Sequence, residues 1–446
     1  MKNTRRDFIG QSVKGAAAIT IGGMLPAFTA KSYGNIIGSN ERVRVAAMGV
    51  NSRGLALANN FARQKNCELI YVCDVDTRAA EKCIGQIEKI QNKRPQAQPD
   101  FRKALEDKQL DAMFIAAPDH WHAPAAILAS KAGKHVYVEK PCSHNPHEGE
   151  LLVAAVAKYK NVVQMGNQRR SWPKVVAAIA DLKAGLIGRP YFAKGWYANN
   201  RESIGTGKKA PVPSWLNYDL WQGPAPRMDF KDNLIHYNWH WFWNWGTGEA
   251  LNNGTHMVDL IRWGLDVDYP TRVTSSGGRY RFKDDWQTPD TQVITVEFDN
   301  NTSMVWEGRS CNGRTAEGSS VGVIFYGDNG SLQIDDDSYK VYDLKNKVVK
   351  DVKSEVTIDA LNRTDPSQQL DGLHIANFLE SIQKGVQLNS GIVGGHQSTL
   401  ICQLGNIALR SGNTLNIDPK TGHIKNDPEA MKFWQRSYQA GWEPTI

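Results

Sequence analysis

The sequence is poor in cysteine and lacks a long hydrophobic run. Its 446 residues include six cysteines, and no two of them form a C-x-x-C pair. Neither a disulfide framework nor a zinc module is therefore indicated, and we expect buried thiols. The apolar stretch near the N-terminus, residues 15–25, is shorter than the ~20 residues that a stable membrane-spanning helix needs. We do not predict an integral membrane protein.

The excess of positive charge is also small. The formal net charge is +7, and four of these charges come from the first 31 residues, which hold five basic side chains and one acidic one. A nucleic-acid-binding protein would keep a clustered basic face in its folded part, so no nucleic-acid partner is predicted. With 41% apolar and 22% charged residues, the chain is typical of a globular protein of two or three domains.

Residues 1–33 have the pattern of a twin-arginine signal peptide. The arginine pair Arg5 and Arg6 precedes the apolar stretch, which carries no acid and ends near Pro26 and Ala30. A disordered basic tail is the alternative interpretation. The signal predicts a periplasmic or otherwise exported protein, with the twin-arginine export machinery as a partner. Because this route carries folded proteins, it favours a cofactor acquired before export.

The pattern of residues 41–167 predicts a nucleotide-binding domain. Apolar runs at residues 43–50, 68–74, 112–118, 135–138 and 162–165 alternate with helical periodicity. This is the βαβ order of a parallel sheet with helices on both faces, a Rossmann domain.

Residues 168–446 predict an α+β substrate and oligomerisation domain. Strand-like runs occur between residues 271 and 342, and a tight turn at residues 299–301 joins two of them. They indicate a large, open, mainly antiparallel sheet. Helical periodicity returns at residues 374–384 and 396–410, so we expect the end of the chain to pack back on the body.

The turn after the first strand has the form of a dinucleotide-binding loop. It reads Gly49-Val50-Asn51-Ser52-Arg53-Gly54, which is G-x-N-x-x-G. The two glycines allow a tight turn and close helix packing, and the following helix N-terminus offers N–H groups to a pyrophosphate. Asn tolerates unusual backbone angles where a middle glycine would sit. We predict that Gly49, Asn51, Ser52, Arg53 and Gly54 bind the cofactor; a helix-capping turn is the alternative.

Residues at and after the end of the second strand bear on the choice between NAD and NADP. Asp74 lies 25 residues after Gly49, near the position where an acid binds the ribose hydroxyls of NAD. Arg78 follows closely and would suit the 2′-phosphate of NADP. We therefore predict NAD or NADP as cofactor and favour NAD.

Two further segments carry residues suited to proton transfer. Glu139-Lys140-Pro141 places a lysine at the carboxyl end of a parallel strand, where open α/β sheets bind ligands. Asn252, His256 and Asp259 follow at helical spacing. A lysine close to a nicotinamide cation can have a lowered pKa and shuttle a proton, and a histidine can share this task. A surface lysine and a structural histidine are the alternatives.

From residue 43 to the C-terminus the chain resembles the glucose–fructose oxidoreductase / inositol dehydrogenase / MocA family. The most specific parts are the E-K-P tripeptide and a segment of the form G-x-x-x-D-x-G-x-H. The resemblance implies that Lys140 is the catalytic lysine beside the nicotinamide, with Glu139 at the cofactor, and that His256 binds or deprotonates the substrate hydroxyl. The family's acid is Asn252 here, and an amide orients a hydroxyl but cannot take its proton.

The segment Pro118-Asp119-His120-Trp121-His122 resembles the family's cofactor-side loop. The resemblance places Pro118, Trp121 and His122 beside the dinucleotide. His120 and His122 also form an H-x-H pair, but no acidic or thiolate partner is evident, and no metal site is predicted.

An unusually dense aromatic run suggests the substrate. Six of the 14 tryptophans lie between Trp215 and Trp245. Aromatic faces stack on the C–H faces of sugars, so Trp239 and Trp241 are candidate substrate contacts; packing of the domain core is the alternative. Gln168 and Arg169 follow the last strand of the nucleotide domain, where they would bind substrate or form interdomain salt bridges.

Together these features predict an exported NAD(P)-dependent oxidoreductase that acts on a CH–OH group of a saccharide or cyclic polyol. Free NAD is scarce outside the cytoplasm, so we expect a tightly bound cofactor that is recycled in place. Two alternatives remain: an NAD-dependent glycosidase that works by transient oxidation and elimination, and a non-catalytic sugar-binding protein. The family resemblance also implies a homo-oligomer, a dimer or tetramer.

Overall fold

The structure is a computed structural model, and it describes residues 42–356 and 367–446. The predicted signal peptide, residues 1–33, lies outside the described residues. In the part of the chain that is described, no helix is long and apolar enough to cross a membrane. All six cysteines are free and buried, as the sequence predicted.

The N-terminal domain alternates strands with helices. Its elements are β1 (Val43–Met48), α1 (Arg53–Ala62), β2 (Cys67–Cys73), α2 (Thr77–Gln91), β3 (Gln96–Ala97), α3 (Phe101–Leu105), β4 (Ala112–Ile115), α4 (Asp119–Lys131), β5 (His135–Val138), α5 (Pro146–Tyr159) and β6 (Val163–Met165). The strands form one parallel sheet in the order β3-β2-β1-β4-β5-β6. The central strands are buried on both faces, which explains their continuous apolar sequences.

The rest of the described chain forms an α+β domain. Its elements are a 3₁₀ turn (Gln168–Ser171), α6 (Pro173–Lys183), β7 (Pro190–Ala198), α7 (Tyr218–Gln222), a second 3₁₀ turn (Asn238–Trp241), α8 (Glu249–Asn252), α9 (Gly254–Leu265), β8 (Arg272–Gly278), β9 (Thr291–Glu297), β10 (Ser303–Arg309), β11 (Val321–Gly327), β12 (Gly330–Asp335), β13 (Ser338–Tyr342), β14 (Val348–Val352), α10 (Gln368–Lys384), α11 (Ile392–Ser411), β15 (Leu415–Asn416) and α12 (Pro428–Met431). We call residues 199–248, between β7 and α8, the aromatic insertion.

The second sheet is large, open and mainly antiparallel. Its nine strands run in the order β14-β13-β12-β11-β7-β10-β9-β8-β15, and only the pair β7 and β10 is parallel among them. The predicted fold class is therefore confirmed. The predicted turn at residues 299–301 joins β9 to β10, and Asn301 has a left-handed φ of 58°.

Four strands were not predicted from the sequence, namely β3, β7, β14 and β15. β7 lies between β10 and β11 in the sheet, but Pro190, Lys194 and Gly195 interrupt its apolar pattern. The short β3 is exposed at both residues. β3 and β7 form because a neighbouring strand provides hydrogen-bonding partners, which a local sequence pattern does not reveal.

The C-terminal helices return to the nucleotide domain. Phe378 on α10 is completely buried against the face of the parallel sheet that also holds α1. Its ring packs edge-on against Phe61 and Tyr137, with ring centroids 6.3 and 5.9 Å apart. Helix α10 therefore contributes to the core of the nucleotide domain.

Phe378→Ala should destabilise the whole protein by about 3–5 kcal/mol, because it leaves a cavity in a core shared by both ends of the chain. Urea unfolding, followed by tryptophan fluorescence and circular dichroism, measures the loss. Leu373→Ala, on the same helix but 41% exposed, is the matched control and should change stability little. A separate, unshifted transition of the nucleotide domain would contradict a shared core.

Candidate active site

A cleft of about 490 Å³ lies at the carboxyl edge of the parallel sheet, and both domains line it. The nucleotide domain contributes the turn after β1, the end of β2 and the ends of β4 and β5. The C-terminal domain contributes the aromatic insertion and the start of α9. The edge of the sheet is where open α/β folds bind their ligands.

The glycine turn packs closely against the rest of the domain, at positions where only glycine fits. Gly49 has a φ of 76°, and a Cβ atom there would lie 2.5 Å from the backbone nitrogen of Ala117. A Cβ atom on Gly54 would overlap the carbonyl oxygen of Gly49. Helix α1 begins at Arg53 with no side chain capping its N-terminus and no acid in its first turn. Its amides and partial positive charge fit a pyrophosphate, so this edge suits a dinucleotide.

Asp74 is fixed at the cleft by the backbone. Its Oδ2 accepts a hydrogen bond from Val50 N at 2.7 Å, and its Oδ1 accepts one from Asp76 N at 2.8 Å. Burial raises the pKa of Asp74 above its ordinary value, although these hydrogen bonds oppose the shift. The carboxylate lies where a ribose-binding acid is expected.

Arg78, the candidate for a 2′-phosphate, points elsewhere. Its guanidinium pairs with Asp76 at 3.0 Å and lies 3.4 Å from the ring centre of Trp215. It is not among the described residues that line the cleft. The structure thus brings Asp74 to the cleft and leaves Arg78 at its outer side.

Arg53, Glu139 and Gln168 form one buried network. Arg53 donates to Glu139 at 2.9 Å and to Asp371 at 2.5 Å, and Gln168 Nε2 donates to Glu139 at 2.8 Å. Burial would raise the pKa of Glu139, but the charges of Arg53 and Lys140 hold it below its usual value. Asp371, from α10, was missed by the sequence analysis because nothing near it in the chain marks it as a site residue.

Lys140 is held by Asn252. Its Nζ donates to the backbone oxygen of Asn252 at 2.5 Å and to the side-chain Oδ1 at 3.2 Å. Burial lowers the pKa of Lys140, and the nearby carboxylates of Glu139 and Asp119 only partly oppose this shift. A larger fraction of the amine is therefore neutral at a given pH, as a proton acceptor requires.

His256 lies in the same cleft, at the start of α9. Its Nδ1 is buried and has no hydrogen-bond partner among the described residues. Burial, together with the positive charge of Lys140, holds the pKa of His256 well below its ordinary value. The imidazole is therefore neutral, with hydrogen-bonding capacity left for a ligand.

The segment of residues 117–122, which ends the β4–α4 connection and forms the first turn of α4, faces the cleft through Pro118, Trp121 and His122. The two nitrogens of His122 lie 2.6 and 2.7 Å from the carbonyl oxygens of Pro141 and Ala117. His120 also faces backbone carbonyls. Within residues 42–356 and 367–446, no three His, Cys, Asp or Glu side chains come together as a possible metal site.

The two candidate tryptophans have different roles. Trp239 lines the cleft, and its ring stacks on His240 with centroids 3.6 Å apart. Trp241 is 1% exposed, stacks on Trp286 at 3.9 Å and is not part of the described lining. Trp241 therefore packs in the protein interior, and Trp239 remains a candidate substrate contact.

Arg169 and Arg170 also differ in their surroundings. Arg169 lines the cleft, 3.5 Å from Asp336 and stacked on Trp172. Arg170 forms a two-point pair with Asp259 at 2.8 and 2.9 Å. The candidate salt bridge of this segment is thus clearest for Arg170, and Arg169 is the one that lies at the cleft.

Sequence reasoning missed a second polar group in the cleft. Arg201 donates to Glu249 at 3.0 Å and to the phenol oxygens of Tyr237 and Tyr197 at 2.6 and 3.2 Å. His240, whose Nδ1 donates to the carbonyl of Tyr237 at 2.6 Å, completes this side. Their spacing of 3 to 48 residues gives no recognisable motif.

Comparison with known proteins identifies the family. Residues 43–167 match the family model described as "Oxidoreductase family, NAD-binding Rossmann fold" of Gfo/Idh/MocA proteins, and residues 182–444 match the model of its "C-terminal alpha/beta domain". The chain belongs to the Gfo/Idh/MocA oxidoreductase family. It is therefore an oxidoreductase with an NAD-binding domain, and the cleft described above is where that domain meets the second one.

Individual relatives of this Gfo/Idh/MocA protein carry different names. A "Glycosyl hydrolase family 109 protein 2" of Shewanella sp. (strain ANA-3) is 29% identical over 334 residues, which cover 72% of this chain and 68% of that protein. An "Inositol 2-dehydrogenase" of Rubrobacter xylanophilus is 30% identical over 164 residues, 36% of this chain and 46% of that protein.

Solved structures share the fold over most of the chain. A levoglucosan dehydrogenase in complex with NADH and levoglucosan superposes with a TM-score of 0.64 at 18% identity, covering 84% of this chain and 99% of its own. An aldose-aldose oxidoreductase of Caulobacter crescentus gives a TM-score of 0.64 at 15% identity, with coverage of 84% and 100%. At these identities the likeness shows the fold.

Asn252→Asp should move the pH profile of substrate oxidation to higher pH by about one pH unit or more, because a carboxylate beside the Lys140 ammonium raises its pKa. Oxidation needs the neutral amine, so the rate rises with pH through this pKa, which in the native protein lies below its ordinary value. The measurement is the rate of nicotinamide reduction against pH.

Asn253→Asp adds the same charge one residue away and is the control. The Asn253 amide contacts Glu249, so this variant should shift the profile less. A profile that is the same in the native protein and in Asn252→Asp would contradict the role of Lys140 as the titrating group.

Proposed function

We propose that the protein is an exported, NAD-dependent oxidoreductase that oxidises a CH–OH group of a saccharide or cyclic polyol and keeps its nicotinamide tightly bound. The observation that carries the proposal is the partly buried Lys140 amine, which lines the same cleft as His256, at the edge that carries the dinucleotide turn. The names of an inositol dehydrogenase relative and of a levoglucosan dehydrogenase with the same fold support this substrate class.

The proton is handled by residues of this chain. Bound NAD would accept the hydride from the carbinol carbon. The neutral amine of Lys140 still has two hydrogens for the two oxygens of Asn252 and one lone pair for the hydroxyl proton. His256, neutral and with an unpartnered Nδ1, is suited to hold the hydroxyl. Asn252 orients the amine, and no proton passes to it.

NAD is favoured over NADP. The Asp74 carboxylate at the cleft suits ribose hydroxyls and would repel a 2′-phosphate. Arg78, which could offset this repulsion, is occupied by Asp76 and Trp215.

A second function has a specific observation in its favour. One match that spans 72% of this chain is to a protein named as a glycosyl hydrolase of family 109. In this alternative, bound NAD would oxidise a sugar hydroxyl to a ketone, the aglycone would leave by elimination, water would add to the resulting double bond, and the reduced nicotinamide would return its hydride to the ketone, without net redox change. Incubation with glycosides separates the two: accumulating keto sugar indicates net oxidation, and released aglycone with unchanged cofactor indicates the glycosidase.

We also propose that the protein acts as a homo-oligomer through the outer face of the second sheet. This face carries the stacked rings of Phe192 and Tyr326 beside Val293 and Val305, all partly exposed in the single chain. Pairing with a second copy would cover them. Light scattering of the purified protein measures the assembly.

Lys140→Met should lower single-turnover reduction of bound nicotinamide by saccharide about 10²–10⁴-fold, the usual contribution of a proton-transfer group. The variant keeps the apolar stem and loses only the amine, so the dinucleotide content after purification should be unchanged. Stopped-flow absorbance of reduced nicotinamide gives the rate.

Lys134→Met is a matched control. Lys134 is also buried and donates to two backbone carbonyls, Asp107 and Leu110, but it lies outside the cleft. Its substitution should leave the turnover of the folded protein unchanged. Full turnover by Lys140→Met would rule out the proposed role.

Export depends on the arginine pair. The double variant Arg5→Lys with Arg6→Lys keeps the charge of the leader, and we expect it to accumulate in the cytoplasm as folded protein with its nicotinamide bound. Cell fractionation followed by immunoblotting measures the distribution. Lys2→Arg, which leaves the pair intact, should be exported normally; equal export of the double variant would overturn the assignment.

A further inference from the structure

The aromatic insertion is a compact unit with its own core. Leu216, Tyr218, Trp221, Phe242 and Trp245 are buried against one another within it. Although it follows β7 of the second sheet, it reaches across the cleft to the nucleotide domain. Two of its junctions with that domain lie next to residues that line the dinucleotide cleft.

The first junction is at the end of β2, directly after Asp74. The backbone of Thr77 donates to the Trp215 carbonyl at 3.0 Å, and the backbone of Asn217 donates to the Val75 carbonyl at 3.0 Å. These bonds flank an antiparallel bridge between residues 76 and 216. The insertion is therefore attached by main-chain bonds to the segment that carries the ribose-binding acid.

Side chains reinforce this junction. His236 Nε2 lies 2.7 Å from the Asp76 carboxylate, which is 2% exposed, and the His236 ring stacks on Trp215. The Arg78 guanidinium covers the other side of the same contact. Asp76 also caps α2, so one carboxylate fixes both the helix of the nucleotide domain and the insertion.

The second junction is at the start of α4. The indole nitrogen of Trp121 donates to the Trp221 carbonyl at 3.0 Å, and the backbone of His120 donates to the Trp245 carbonyl at 3.1 Å. The C-terminal tail supports it from outside, where Trp442 packs edge-on against Trp121 with ring centroids 5.3 Å apart.

Between the two junctions, the insertion lines the dinucleotide cleft. Leu220, Trp221 and His236 face it together with Gly49 and Asp74. In a dinucleotide fold, the acid at the end of the second strand marks the adenosine half of the cofactor. The part of the insertion that carries Leu220, Trp221 and His236 thus lines the half of the cofactor site that takes no part in chemistry.

We propose that the aromatic insertion forms the second wall of the adenosine end of the cofactor site and retains the dinucleotide, with His236 as the positioning residue that holds this wall to Asp76. The inference rests on the proposed function only in taking the ligand as NAD, and it explains how a cofactor stays bound. Release requires the wall to separate from the nucleotide domain, and four main-chain or indole bonds and the His236–Asp76 contact oppose that separation.

The test is the exchange rate of bound NAD. Protein loaded with NAD is mixed with an excess of deuterated NAD, and native mass spectrometry follows the replacement. We expect His236→Ala to exchange about tenfold faster than the native protein or more, since most changes in affinity appear in the dissociation rate. Asp76→Asn, which keeps a capping side chain, should accelerate exchange in the same direction.

His423→Ala is the matched control. His423 also contacts a carboxylate, Glu150, at 2.5 Å, but it lies outside the cleft. The His423→Ala variant should therefore exchange bound NAD at the rate of the native protein. Hydrogen exchange of peptides at residues 75–79 and 213–219 should increase in His236→Ala and Asp76→Asn only. Unchanged NAD exchange in both folded variants would overturn the proposal.

The outcome is separable from the proposed function. If no saccharide reduces the bound nicotinamide but the two variants still release NAD faster, the retaining wall stands and the sugar-oxidising function fails. If saccharides reduce it and all variants exchange NAD at one rate, the function stands and the retaining wall is wrong.

Discussion

The buried ammonium of Lys140 is the constraint on which the site depends. It is bonded to the carbonyl and amide oxygens of Asn252, which are dipoles and carry no compensating charge. Desolvation therefore dominates and lowers the pKa of Lys140. An acid at position 252 would stabilise the ammonium and raise the pKa of Lys140. A smaller fraction of the amine would then be neutral, and able to accept a proton, at a given pH. Because Asn252 stands in place of the family's acid, a proton that Lys140 accepts stays on the lysine and is not passed to residue 252.

The charges around this lysine link the two domains. Arg53 joins Glu139 of the nucleotide domain to Asp371 of the returning helix α10, and Arg170 joins the domain boundary to Asp259 of α9. Buried ion pairs add little net stability because desolvation offsets their attraction, but an unpaired partner is costly. We infer that these pairs fix the position of one domain against the other, so that the cleft keeps one geometry.

Much of the fold could be predicted from the sequence, because every strand of the parallel sheet except β3 is a short, largely apolar run. β7 could not, since its place in the sheet depends on β10 and β11 and its own sequence contains Pro190 and Gly195. At the site, Gly49, Asp74 and Lys140 follow strands and are recognisable. Asp371 and Arg201 acquire their roles only through partners distant in the chain. Trp239 and Trp241 lie in the same 3₁₀ turn, and the sequence does not show which of the two rings is buried.

The titration of Lys140 tests the account most directly. ¹³C-NMR of protein labelled at lysine Cε, compared with the Lys140→Met variant, identifies the resonance of this residue and follows it with pH. The account predicts a resonance that is absent from the variant and titrates clearly below the ordinary lysine range. Titration of that resonance at or above the ordinary range would show that the amine stays protonated, and would contradict its role as proton acceptor.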